Sequence, residues 1–243
     1  MIRALISIPT YILLLPWVIL FVVAHTLLWL VSLLFDHDGR AMQWACRFWS
    51  RSLFVAVPGW KLEVEGVENI DPKERYVVTI NHRSMLDIPV MFTLPVMFKW
   101  VSKREVYRIP FIGWILWERG DIAIRRGNTS STIEMMERGK EFLAKGISVN
   151  MFPEGTRSRD GEIHRYKDGA FYLAHDAAAP ILPCVMDGTD RLFDGWKIAR
   201  CTVRLRILPP ISTEEVAATE PKQMSKRVQA MATEVLADIR AKK

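Results

Sequence analysis

Residues 4–35 contain no Asp, Glu, Lys or Arg; Arg3 precedes the run and Asp36 ends it. A helix needs about 20 mostly apolar residues to cross the hydrocarbon core of a bilayer, and residues 10–35 supply more than that. A secretory leader would show an apolar core of only about 7–15 residues and a small-residue cleavage site. Neither is present, so the run reads as a retained membrane anchor. Pro9 and Pro16 each remove a helical hydrogen bond and predict kinks. The segment either crosses the bilayer or enters one leaflet and returns. Residues 41–60 mix Trp44, Phe48, Trp49, Phe54 and Trp60 with Arg47 and Arg51. Aromatic rings beside cations suit a helix lying at the lipid headgroups; a buried core helix is the plainer alternative. Residues 1–60 thus read as an anchor and 61–243 as a folded domain.

The rest of the chain has an ordinary water-soluble composition with a basic excess. The net charge is +6 and the pI about 9.3, which favours anionic partners. The cations form short clusters, such as Lys103-Arg104 and Arg125-Arg126, set among apolar residues. No long basic tail points to nucleic acid, so the expected partners are membrane lipids or phosphorylated small molecules. The three cysteines, Cys46, Cys184 and Cys201, form no CxxC. An odd number without that spacing argues against a disulfide framework or structural zinc and for a reducing compartment. The domain is therefore expected on the cytoplasmic face of a membrane.

From residue 61 onward the hydrophobic period changes. Short apolar or alternating runs at 61–67, 76–80, 98–101, 121–124, 148–152, 181–185 and 202–207 read as strands. Helical periodicity falls at 130–145, 169–178 and 225–241, the last as a surface helix with one apolar face. Alternating strands and helices predict an α/β domain, a largely parallel sheet flanked by helices.

Two segments that follow predicted strands carry chemistry. In such sheets the loops beyond the carboxyl ends of the strands form the ligand crevice. The first is Asn81-His82-Arg83-Ser84-Met85-Leu86-Asp87. With Asp87 in a first helical turn, its carboxylate can accept a hydrogen bond from one ring nitrogen of His82. That fixes the tautomer and leaves the other nitrogen to take a proton from a hydroxyl. His-x4-Asp alone is a weak motif in a chain with five His and 12 Asp. The second segment is Phe152-Pro153-Glu154-Gly155-Thr156-Arg157-Ser158. Gly155 lets backbone amides approach a ligand, and Thr156 and Arg157 are natural phosphate partners. A polar turn with a surface arginine is the alternative. A third stretch, residues 120–126, ends a predicted strand with Arg125 and Arg126 side by side. That arrangement favours a nearby anion or carboxylate; solvated surface arginines are the alternative.

Together these segments resemble the glycerolipid acyltransferase family, in particular the 1-acylglycerol-3-phosphate acyltransferases. The likeness runs from about residue 75 to 190, and the hydrophobic N-terminus suits it. Asn81 to Asp87 matches the catalytic block, and Gly120 to Arg126 the second block. Phe152 to Ser158 matches the third without change and is followed by Lys167-Asp168-Gly169. Ile181-Leu182-Pro183 corresponds to a proline-centred fourth. Two departures stand out. Arg125 occupies a position where the family often has Asp, and Arg165-Tyr166-Lys167 replaces a common Pro-Phe-Lys.

The resemblance implies that His82 is the general base and that Asp87 orients it. Arg126, Glu154, Gly155, Thr156 and Arg157 would hold the acceptor's phosphate, supported by Asn81, Ser158 and Lys167. It implies no metal and no cofactor; acyl-CoA or acyl carrier protein is the donor substrate and a lysophospholipid the acceptor. The rival readings are a related acyltransferase with a different lysolipid or glycerol-phosphate acceptor, a membrane-bound lipid hydrolase, and a non-catalytic lipid-binding adaptor. An intact base–carboxylate pair weighs against the last, since binding alone needs no base.

Overall fold

The computed structural model describes residues 2–242. The helices are α1 (Ile2–Ser32), α2 (Arg40–Ala56), α3 (Asp87–Phe92), α4 (Ile112–Glu118), α5 (Thr129–Ala144), α6 (Gly169–Asp176), α7 (Thr213–Ala218) and α8 (Pro221–Ala241). The strands are β1 (Trp60–Glu65), β2 (Val77–Ile80), β3 (Phe98–Lys103), β4 (Ile122–Ile124), β5 (Ser148–Met151), β6 (Ile181–Asp187), β7 (Phe193–Asp194), β8 (Lys197–Ile198) and β9 (Cys201–Ile207). Seven strands form one sheet in the order β1-β9-β6-β2-β5-β3-β4, and β7 and β8 form a separate hairpin.

From β6 to β4 every pairing is parallel; β9 runs antiparallel to β6 and parallel to β1. The carboxyl ends of β6, β2, β5, β3 and β4 therefore open on one edge. β2 lies in the middle, and all four of its residues are buried. A continuous apolar run is what a parallel strand covered on both faces requires. On one face Val78, Ile80 and Trp100 pack with Cys46 and Leu53 of α2 and Val90 and Met91 of α3. On the other, Val77, Val149 and Val185 pack with Met135 of α5, Phe171 of α6 and Val228 and Leu236 of α8.

Local signals explain where the helices begin. The Asn128 side chain accepts from Ser131 N at 2.8 Å and starts α5. α8 starts four residues before the expected 225, because Glu220 accepts from Gln223 N and Pro221 takes the first turn.

The anchor differs from a free tether. α1 runs unbroken through Pro9 and Pro16, and both prolines lie on its exposed face. Its other face docks along the domain. Ser7 Oγ accepts from Ile198 N at 2.9 Å, and Tyr11 OH donates to Trp196 O at 2.6 Å. Further along, His25 Nδ1 meets Glu118 Oε2 at 2.5 Å and Thr26 Oγ1 donates to Glu118 Oε1 at 2.6 Å. Tyr11, Leu14, Trp17 and Phe21 pack against the same core as the sheet.

α2 is likewise part of the body. Met42, Cys46 and Leu53 are buried, while Trp44 and Phe48 face outward. Arg47 and Arg51 donate to Leu94 O and Thr93 O, carbonyls at the end of α3, where cations are favourable. Trp60, assigned above to the interfacial helix, opens β1.

Candidate active site

The register of β2 sets the site. Thr79 lies opposite Met151 of β5 and Pro183 of β6, so the loops leaving β2 and β5 emerge side by side. Asn81 turns inward and is buried. Its amide donates to Met186 O at 2.9 Å and its oxygen accepts from Met186 N at 2.8 Å. It clamps the loop to β6 and does not face a ligand.

His82 then stands at the rim, its side chain 12% exposed. Its Nδ1 lies 2.7 Å from Asp87 Oδ2. Asp87, the first residue of α3, is fully buried. The same Oδ2 accepts from Arg83 N at 2.7 Å and Ser84 N at 2.9 Å, and Oδ1 accepts from the Thr189 hydroxyl. A carboxylate holding four donors cannot swing away. It selects the tautomer with the proton on Nδ1 and leaves Nε2 with its lone pair outward. The ring plane is fixed as well. His82 stacks on Phe152 with centroids 3.8 Å apart, and Phe152 stacks on Trp100 at 4.9 Å.

The second loop crosses over the first. Ser158 N donates to His82 O at 2.8 Å, and the Ser158 hydroxyl accepts from Gly161 N. Glu154, expected at the phosphate, is instead buried. Its oxygens accept from His82 N at 2.9 Å and His164 N at 3.2 Å. Burial pushes its carboxyl above the ordinary range, against the pull of those amides. A carboxylate so placed repels an anion and acts as a brace between the two loops.

Cationic side chains gather one strand further on. A cavity of about 290 Å³ is lined by Lys103, Arg126, Gly155 and Lys167, with Phe152 as the wall it shares with His82. Gly155 has φ +69°, and a Cβ there would come within 2.9 Å of Lys167 Nζ. The bare backbone keeps that approach open. Of the paired arginines, Arg126 lines the cavity, whereas Arg125 is exposed and its amide is bound to Ser131 Oγ. Thr156 and Arg157 are exposed on the same loop, outside the cavity wall. On the other side of α3, an apolar cavity of about 210 Å³ is lined by Leu86, Phe92, Trp49, Ile112, Ile115 and Leu116.

Sequence reasoning missed three groups. Lys103 closes the cavity from the end of β3. Thr189 supports Asp87 from beyond β6. Arg83, inside the His-x4-Asp block, pairs with Asp187 and with Asp190 at 2.9 Å, which locks the β6 loop beneath the site. The fourth block, Ile181-Leu182-Pro183, begins β6 and is buried far from the rim; the strand serves the site through its opposite end. No spacing within one block could reveal Thr189, since it depends on β6 lying next to β2.

Comparisons with known proteins bear on the family and the fold. The family model "Acyltransferase" matches residues 61–187. The chloroplastic 1-acyl-sn-glycerol-3-phosphate acyltransferase LPAT1 of Arabidopsis thaliana is 34% identical over 72% of this chain and 48% of its own length. The alpha form of 1-acyl-sn-glycerol-3-phosphate acyltransferase from Bos taurus is 35% identical over 70% of this chain and 61% of its own length. This chain spans about half the length of the first curated relatives it matches. The crystal structure of the 1-acyl-sn-glycerophosphate acyltransferase PlsC from Thermotoga maritima superposes with a TM-score of 0.80 at 22% identity, covering 98% of this chain and 96% of that one, and shows the same fold. With the family match extending from β1 to the end of β6 and enclosing both loops of the site, the chain belongs to the acyltransferase family.

Proposed function

We propose that this protein moves a fatty acyl group from acyl-CoA or acyl carrier protein to the free hydroxyl of 1-acylglycerol 3-phosphate, giving phosphatidic acid. The observation that carries the reading is the His82–Asp87 pair, with Nε2 outward, sharing the Phe152 wall with a cavity lined by Lys103, Arg126 and Lys167. Nε2 takes the proton of the acceptor hydroxyl as its oxygen attacks the thioester carbonyl. The tetrahedral intermediate collapses, the C–S bond breaks, and the imidazolium returns the proton to the departing thiolate. General-base catalysis of this kind contributes about 10²–10⁴-fold. The cations hold the acceptor's phosphate as charge-assisted partners, and the apolar cavity beside α3 suits an acyl chain. The relatives named as 1-acyl-sn-glycerol-3-phosphate acyltransferases support this acceptor.

Membrane attachment follows from α1, whose residues Ile6–Ser32 are long and apolar enough to cross a bilayer. Because α1 is hydrogen-bonded to the domain near both of its ends, we infer that it lies in one leaflet and brings the domain with it. Crossing would drag polar partners such as Glu118 into hydrocarbon. The domain then faces the cytoplasm, where the soluble donor is found.

The test is mass spectrometry of the lipids formed from a mixed set of acyl donors with 1-acylglycerol 3-phosphate, glycerol 3-phosphate and other lysolipids as acceptors. Phosphatidic acid as the main product supports the reading. Free fatty acid released at the same rate with and without acceptor would sink it in favour of hydrolysis.

A further inference from the structure

Between β3 and β4 the chain makes an excursion that the catalytic site does not use. A 3₁₀ turn, Arg104–Arg108, leads into α4. Four consecutive residues, Ile109, Pro110, Phe111 and Ile112, are exposed, and none is polar. Trp114 and Trp117 follow at 53% and 63% exposure. A water-soluble surface has no reason to display such a patch.

The tip is also held rigidly. Phe111 adopts φ +66°, a conformation costly for a bulky side chain. Gly113 packs so closely on Tyr107 that a Cβ would fall 2.1 Å from the Tyr107 carbonyl oxygen. Gly113 N donates to Ile109 O and Ile112 N to Pro110 O, each at 2.8 Å. The loop therefore points Phe111 outward in spite of the strain.

Two features say what covers the patch. It is continuous with the exposed apolar face of α1: the Trp117 ring lies 5.0 Å from Trp29, and Val23 and Leu27 line a groove with Trp114. It is also bordered by two exposed cations, Arg104 and Arg108. Aromatic rings flanked by cations fit the headgroup boundary of an anionic bilayer. A protein partner would not need the patch to merge with a lipid-seeking helix.

We propose that residues 104–117 form a second membrane contact. Phe111, Ile112 and Trp114 enter the boundary between headgroups and acyl chains, and Arg104 and Arg108 engage lipid phosphates. With α1 this makes a two-point attachment that holds the carboxyl edge of the sheet, and hence His82, against the lipid surface. Ile112 and Ile115 also wall the apolar cavity beside α3, so the contact places that cavity next to the bilayer. The proposal does not depend on acyl transfer.

The test uses the full chain in lipid nanodiscs, with Cys201→Ser to remove the one cysteine that is not fully buried. A fluorophore is placed at Phe111→Cys or, as control, at Glu234→Cys on α8, which packs on the opposite face of the sheet. Bromine-bearing phospholipids should quench the label at 111 about threefold or more beyond that at 234, as expected for a residue at acyl depth. Replacing Arg104 and Arg108 by Gln should reduce quenching at 111 in discs containing phosphatidylglycerol but not in purely zwitterionic discs. Equal quenching at 111 and 234 would overturn the contact. Quenching at 111 that ignores both arginines would overturn their role. Because α1 keeps every variant in the disc, a negative result reports the position of the segment and not a loss of binding.

Discussion

Asp87 has both oxygens in use, with two amides, a ring nitrogen and a hydroxyl converging on one buried carboxylate. Across the Phe152 wall, the Arg126 and Lys167 side chains are exposed and form no hydrogen bond or ion pair among the described residues. The His82–Asp87 pair is fully assembled from the protein's own groups, whereas Arg126 and Lys167 are left open to the anion proposed for the cavity. Preorganisation suits the first because its geometry must already match the transition state. Open coordination suits the second because the phosphate proposed for it must enter and leave. Changes on the Asp87 side should therefore act on turnover, and changes in the cavity on acceptor binding.

The largest effect belongs to the pair itself. His82→Ala and Asp87→Asn should each lower kcat by about 10³-fold or more with the fold retained, because the first removes the base and the second its orientation. Turnover of purified variants, with circular dichroism as the folding check, decides it. A His82→Ala variant near wild-type turnover would end the base assignment.

The cavity should respond differently. Arg126→Ala should raise the apparent KM for a phosphate-bearing acceptor about 10–100-fold, the loss of a charge-assisted contact, and leave the KM for the acyl donor nearly unchanged. Arg125→Ala, one residue away but outside the cavity, should change neither by much. Equal effects of the two substitutions would erase the distinction between the two arginines.

A smaller effect sharpens the same contrast from outside the motif. The Thr189 hydroxyl donates to Asp87 Oδ1, which makes Thr189 a positioning residue. Thr189→Val should lower kcat about tenfold at constant KM, as for one lost hydrogen bond to a charged group. Thr189→Ser should restore it. A loss that Ser fails to rescue would mark the effect as packing.

What the sequence discloses follows the range of the interactions. The seven strands of the sheet and the helices α5, α6 and α8 were readable because period and capping are local. His82 and Asp87 were readable because a five-residue separation closes within one turn. Glu154 reads as a phosphate residue because its neighbours are phosphate-binding types, while its own oxygens accept from His82 N and His164 N across the loop. Lys103 and Thr189 reach the site only through strand order. α4 was missed because it is short. The anchor's length was evident, but its docking was not, since Ser7 meets Ile198 and His25 meets Glu118 across large gaps in sequence.

The opposite edge of the sheet offers the mildest test of buried charge. Lys99, near the start of β3, is buried and donates to Arg119 O. Burial lowers its pKa from 10.5 to about 8, outweighing the pull of Asp121. Between those values the unfolded chain keeps a proton that the folded chain has released, so stability rises with pH. The Cys46 thiol works the other way. Burial pushes it from 9.0 up to about 11, so the unfolded chain ionises first and stability falls above pH 9. Burial pushes the Cys184 thiol up as well, so the Lys99 contribution is read as a difference between two proteins that share both thiols. Between pH 8 and 9 the stability of the wild type should rise by about 1 kcal/mol relative to that of Lys99→Met. Denaturant titrations at the two pH values measure it. The same slope in both proteins would mean that Lys99 is as well solvated folded as unfolded.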